Sequence, residues 1–189
     1  MRRNRFFEQQ LALHGAANLA GIKPASLICL SSAQMRRISS QLKEYQGCFA
    51  CKGISLEVLS HKAERVLLLV YRQSELKALL AQPESRRLLE KQGYSCTSTL
   101  SACLQGLRQR LVTVTGFPHE IGLFLGYPLA DVCGFIENHG ENFKVCGYWK
   151  VYADTDEAKK IFEEYSACSR AFCRHWRAGG FIGELAAAV

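Results

Sequence analysis

Residues 65–71 read RVLLLVY, with an apolar side chain at every position from Val66 to Val70. A strand sends successive side chains to opposite faces, so a run that never alternates has to be covered on both sides. Residues 25–30, ASLICL, make a similar demand. Between these runs Ile54, Leu56 and Val58 alternate with Ser55 and Glu57, the period of a half-buried strand.

Caps and breakers set the elements around these strands. Residues 6–19 have the spacing of an amphipathic helix that ends near Gly21, and Pro24 prevents its continuation. Ser31 or Ser32 caps a helix through Met35, Ile38 and Leu42 that stops before Gly47. Ser74 caps another, which Pro83 interrupts or restarts. Leu100, Cys103, Leu104, Leu107 and Leu111 form one stripe of a helix over 97–112. Residues 145–152 make a last strand, and Asp154 with Glu157 opens a long helix with the stripe Ala158, Ile161, Phe162, Tyr165, Cys168 and Phe172. The tail AGGFIGELAAAV adds a loose turn or docks on the body.

This order predicts an α+β fold, a ferredoxin-like split β-α-β sheet of about four strands with the first and third in the middle. Covering both faces of those two strands requires a helical insert, approximately 97–140, over the second face. A chain of 189 residues suits a single domain, 1–189.

Within the insert, residues 116–140 repeat one device. Gly116-Phe117-Pro118 and, ten residues later, Gly126-Tyr127-Pro128 each start a short helix, with Gly126 and Gly140 as stops. His119 and Glu120 fall in the opening turn of the first. The positive end of a helix favours neutral imidazole, which can ligate a metal or accept a proton. Cys133 and His139 complete a metal set with His119 if the hairpin brings them together. HExxH is absent because position 123 is Leu.

On the expected last strand, Tyr148, Lys150 and Tyr152 share one face, and Gly147, Trp149 and Val151 the other. On an open sheet a Tyr-Lys-Tyr stripe suits base stacking. Under a helical cover it lines a cleft for a small ligand, with Tyr127 at its border.

Nine cysteines in a chain with an adequate core read mainly as reduced, buried side chains. Cys48 and Cys51 form the only CxxC, in a glycine-flanked link rather than at a helix start. The net charge of +7 favours acidic partners, but its arginines are scattered over several helices. No apolar run approaches the ~20 residues of a membrane span, and no secretion signal is recognisable, so the expected location is cytoplasmic. P-loop, GxGxxG and GxSxG motifs are absent.

The run Pro118-His119-Glu120-Ile121-Gly122, then Phe124-Leu125-Gly126-Tyr127-Pro128, Asp131-Val132, Phe135-Ile136, and Cys146-Gly147-Tyr148-Trp149-Lys150-Val151-Tyr152 resembles a bacterial family known as domain of unknown function 3793. The resemblance spans most of the chain and treats PHEIG and CGYWKVY as one site. It implies a setting in anaerobic bacteria close to flavodoxin and iron-transport functions, hence iron, haem or electron-transfer biology. It implies no activity.

Three readings follow. The first is a binding protein whose His119, Glu120, Tyr127, Tyr148, Lys150 and Tyr152 border a cleft for a metal or an anionic cofactor such as haem or flavin. The second is a thiol- or flavin-coupled reductase using Cys48 and Cys51, with a redox partner such as a flavodoxin. The third is a nucleic-acid or protein-interaction module using the basic surface, with nucleic acid the less favoured partner.

Overall fold

The computed structural model describes residues 3–95 and 97–188. They divide into two compact units, Met1–Glu75 with Ala167–Val189, and Leu76–Ser166.

The first unit is built on a three-stranded sheet of β1 (Ala25–Ser31), β2 (Ile54–Lys62) and β3 (Arg65–Arg72), in the order β1-β3-β2. Both outer strands run antiparallel to β3, so β1 and β2 are parallel to each other. Helix α3 (Ser32–Ala50) links them, capped by Ser31 in a capping box with Gln34. Ile28 pairs with Leu68 and Leu30 with Val66. This face is buried against α1 (Arg5–Gln10), a π-turn at Leu11–Gly15, α2 (Ala16–Leu19), Ile38, Tyr45 and Phe49 of α3, and Phe172. On the other face Leu69 and Tyr71 are buried, but Cys29 is exposed and Leu27 and Leu67 are half-buried.

Two expectations change here. Helix α3 runs through Gly47 to Ala50, so the CxxC lies on its last turn and not in a link. A glycine within a helix costs only about 1 kcal/mol, and Tyr45 and Phe49, both fully buried, outweigh it. The chain turns at Gly53, with φ of 68°. The expected fourth strand does not join the sheet. Instead β4 (Val145–Cys146) and β5 (Lys150–Val151) pair only with each other among the described residues, Val145 with Val151 and Cys146 with Lys150. Gly147 closes that turn by donating its N–H to Trp149 O at 3.0 Å. β3 is therefore the central strand and β1 lies at the edge. The α+β class holds, whereas the four-stranded ferredoxin-like sheet reduces to the three-stranded β-α-β core.

The C-terminal tail docks on the first unit. Ile182 is fully buried in a 3₁₀ turn, Ile182–Glu184, and Ala186 is nearly so. Three basic side chains hold tail carbonyls: Arg3 those of Gly179 and Gly180, Lys52 those of Gly183 and Ala186, and Arg72 that of Ala187. Arg72 is itself buried and also caps α2 by donating to Asn18 O and Leu19 O, each at 2.7 Å.

The second unit takes its helices from local signals. Helix α4 (Gln73–Ala81) leads into it, Pro83 opens α5 (Pro83–Lys91), and Thr99 caps α6 (Leu100–Thr113). Helices α7 (Ile121–Phe124) and α8 (Leu129–Glu137) end in Gly126 and Gly140, both at positive φ, 77° and 79°. Asp154 starts α9 (Thr155–Arg177) by accepting from the N–H groups of Asp156 and Glu157. Those two donors favour its ionised form and hold its carboxyl below the usual range. Among the described residues no helix is long and apolar enough to cross a membrane.

Candidate functional site

His119 and Glu120 are neighbours in the turn before α7, and their side chains diverge. Glu120 is 1 % exposed. It accepts from Arg110 Nε in a short ion pair and from Tyr94 Oη at 3.2 Å. Burial and then the Glu120 charge push the Tyr94 hydroxyl upward, and the Arg110 guanidinium lies 5.7 Å over its ring. Glu120 thus has a structural task, tying the start of α7 to α6. His119 faces outward, with its ring 4.6 Å from that of Phe135 and 6.4 Å from that of Phe117.

The Tyr-Lys-Tyr stripe is divided by the hairpin. Tyr148 sits in the turn, its ring 5.8 Å from Phe162 and 5.3 Å from Tyr165 and its Oη 3.3 Å from Ser166 Oγ. Burial raises the Tyr165 hydroxyl to about 12. Lys150 goes the other way. Its Nζ donates to Gly140 O at 2.6 Å and lies 4.5 Å from the Phe143 ring and 5.8 Å from the Phe135 ring. Tyr152 meets Phe135 edge-on at 6.5 Å. Its Oη is buried without a hydrogen-bond partner among the described residues. Tyr127 stacks on Trp149 at 4.9 Å, an inward packing contact, and burial raises its hydroxyl. Of the expected cofactor-binding residues, His119, Lys150 and Tyr152 therefore gather around Phe135, whereas Glu120, Tyr127 and Tyr148 are engaged elsewhere.

One residue of this region had only weak sequence signal. Asp131, 3 % exposed, accepts from Trp149 Nε1 at 2.7 Å and from the N–H groups of Tyr152 and Ala153 at 2.8 Å each. An acid in the first turn of a helix ordinarily complements the dipole. Here it anchors the hairpin to α8. Gly134, one turn along, makes room for the contact: a Cβ there would lie 2.6 Å from Tyr152 Cβ.

No metal set forms. Among the described residues no three His, Cys, Asp or Glu side chains are grouped to hold an ion. His119, Cys133 and His139 do not converge, because α8 carries Cys133 to a groove lined by Leu88, Lys91 and Ile136. His139 lies exposed in the turn after α8, with φ of 52°. The CxxC is also unlike a redox start. Burial and then the neighbouring Cys51 push the Cys48 thiol upward. Both cysteines occupy the carboxyl end of α3, where the helix dipole opposes a thiolate.

The Phe135 surface joins exposed rings to a cation. Phe117 is 43 % and Phe143 38 % exposed, and the Lys150 ammonium lies 4.5 Å from the Phe143 ring. Such a surface can stack a flat π-system and neutralise an anionic substituent.

No curated protein matches the chain, and no solved structure does. The family model described as Protein of unknown function (DUF3793) matches residues 11–186. With that match covering nearly the whole sequence, the chain belongs to the DUF3793 family of proteins of unknown function.

Proposed function

We propose that this protein binds a planar, anionic molecule on the surface formed by Phe117, His119, Phe135, Phe143 and Lys150, with haem and flavin the two chemical classes that fit. One observation carries the reading: His119, from the turn before α7, and Lys150, from β5, meet at the same ring, Phe135, with two exposed phenylalanines beside them. The rings supply stacking area, Lys150 answers a carboxylate or phosphate, and the outward imidazole of His119 is available as a ligand or hydrogen-bond partner.

The test is titration of the protein with haemin and, separately, with FMN, followed by absorption and by quenching of flavin fluorescence. His119→Ala and Lys150→Ala should each weaken binding by about tenfold, a loss of ~1.4 kcal/mol. Tyr148→Phe should bind as the parent does, since its ring packs away from this surface. Absence of saturable binding of both molecules would remove the proposal, as would affinity unchanged from the parent in both the His119 and Lys150 variants.

A further inference from the structure

We infer that the cavity at the Nη edge of Arg110 is a second site, one that takes a small oxyanion presented as a carboxylate or a phosphate group. This cavity is independent of the Phe135 surface. It has a volume of about 220 Å³, and its wall includes Ser95, Gln109, Arg110 and Thr113 beside the buried Tyr94. At ~30 Å³ per water, it holds roughly seven water volumes, enough for a carboxylate or phosphate with part of its hydration.

The guanidinium is fixed from two sides. Glu120, 1 % exposed, engages Nε, and the Tyr94 ring lies under the plane while its hydroxyl also bonds Glu120. Gly106 permits this arrangement, because a Cβ there would fall 2.5 Å from the Tyr94 ring. What remains is the pair of Nη groups. Nη2 reaches Gln92 Oε1 only at 3.4 Å, and Nη1 has no protein partner among the described residues. A planar fork held by a carboxylate on one edge leaves its other edge set for bidentate contact with an oxyanion. Because the buried Glu120 removes rotational freedom from Arg110 beforehand, little ordering cost is left for the binding step. Thr113 Oγ1 donates to Gln109 O at 3.0 Å, so the further donors for the anion are the Ser95 hydroxyl and the Gln109 amide.

Chemical-shift titrations of the whole protein with inorganic phosphate and with acetate, at constant ionic strength set by chloride, test this. Saturable shifts of the Ser95, Gln109 and Thr113 amides are expected with at least one of the two. Tighter binding of phosphate would identify a phosphate site, and tighter binding of acetate a carboxylate site. Arg110→Lys keeps a cation facing Glu120 but loses the fork, and should weaken binding by about tenfold or more. Ser95→Ala with Gln109→Ala leaves the Arg110–Glu120 pair untouched and should weaken it severalfold, which covers the case of an Arg110 variant that does not fold. No saturable shift with either anion would overturn the inference. So would unchanged affinity in the folded variants.

Discussion

Trp149 Nε1 donates to Asp131 Oδ2 at 2.7 Å, while Oδ1 of the same carboxylate holds the N–H groups of Tyr152 and Ala153. A side chain from α8 thereby fixes both the turn and the exit of a hairpin whose regular pairing is only two residues long on each strand. Asp131→Ala leaves three donors without their acceptor. With about 1.5–3 kcal/mol for a hydrogen bond to a charged group and strong non-additivity, the expected loss is about 3 kcal/mol. Asp131→Asn, which keeps one carbonyl oxygen, should lose less. Denaturant unfolding followed by tryptophan fluorescence measures both.

Two helix-interior glycines should respond to alanine with opposite signs. At Gly134 the new Cβ would meet Tyr152 Cβ and Cγ at 2.6 Å, atoms pinned by the Asp131 bond to Tyr152 N–H. Overpacking of about 1–3 kcal/mol exceeds the helix-propensity gain of about 1 kcal/mol, so Gly134→Ala destabilises. Beyond the helix's own backbone and the adjacent residues, nothing among the described residues lies within 4 Å of a Cβ at Gly47. Gly47→Ala should stabilise by about 0.5–1 kcal/mol. Thermal melts of the two variants compare them directly.

The tail should behave as part of the first unit. Ile182 is fully buried, and Ile182→Ala is expected to cost about 2–4 kcal/mol. A chain ending at Phe181 should lose more, because Lys52 loses its carbonyl acceptors on Gly183 and Ala186 and the buried Arg72 loses Ala187 O. Equal melting temperatures for the full and shortened chains would contradict this account.

Lys23 sets an alkaline dependence. Burial lowers its ammonium pKa to about 8 from an ordinary 10.5. Between those values the unfolded chain holds the proton that the folded chain has released, so stability rises with pH through this window. Below about pH 8 both states are protonated and the folded state carries the full penalty, on the order of 3 kcal/mol at about 1.4 kcal/mol per pH unit. Lys23→Met removes the titrating group and should flatten the rise in stability between pH 8 and 10. Unfolding curves recorded across that range give the slope.

Ser31, Pro83, Asp154, Gly126 and Gly140 were readable from the sequence as starts and stops because each acts through the backbone within a few residues. The apolar stripe Cys103, Leu104, Leu107 and Leu111 was readable for a similar reason, since a helix face repeats within one segment. Gly47 misled because a glycine marks a stop only when the chain adopts positive φ there, and the packing of Tyr45 and Phe49 decided otherwise.

The sequence by itself determined the three strands of the sheet, most helix starts and stops, and the presence of a His-Glu pair beside aromatic residues. Tertiary structure decided what those residues do. It folded 145–152 into a hairpin, because Asp131 could satisfy the N–H groups of Tyr152 and Ala153 that a long strand would have paired within a sheet. It also turned Glu120 inward to Arg110 and Tyr94, ten and twenty-six residues away, and left His119 outward against Phe135. Adjacent residues in a turn point apart, and which of them is buried depends on partners distant in the chain, a relationship that no local pattern encodes.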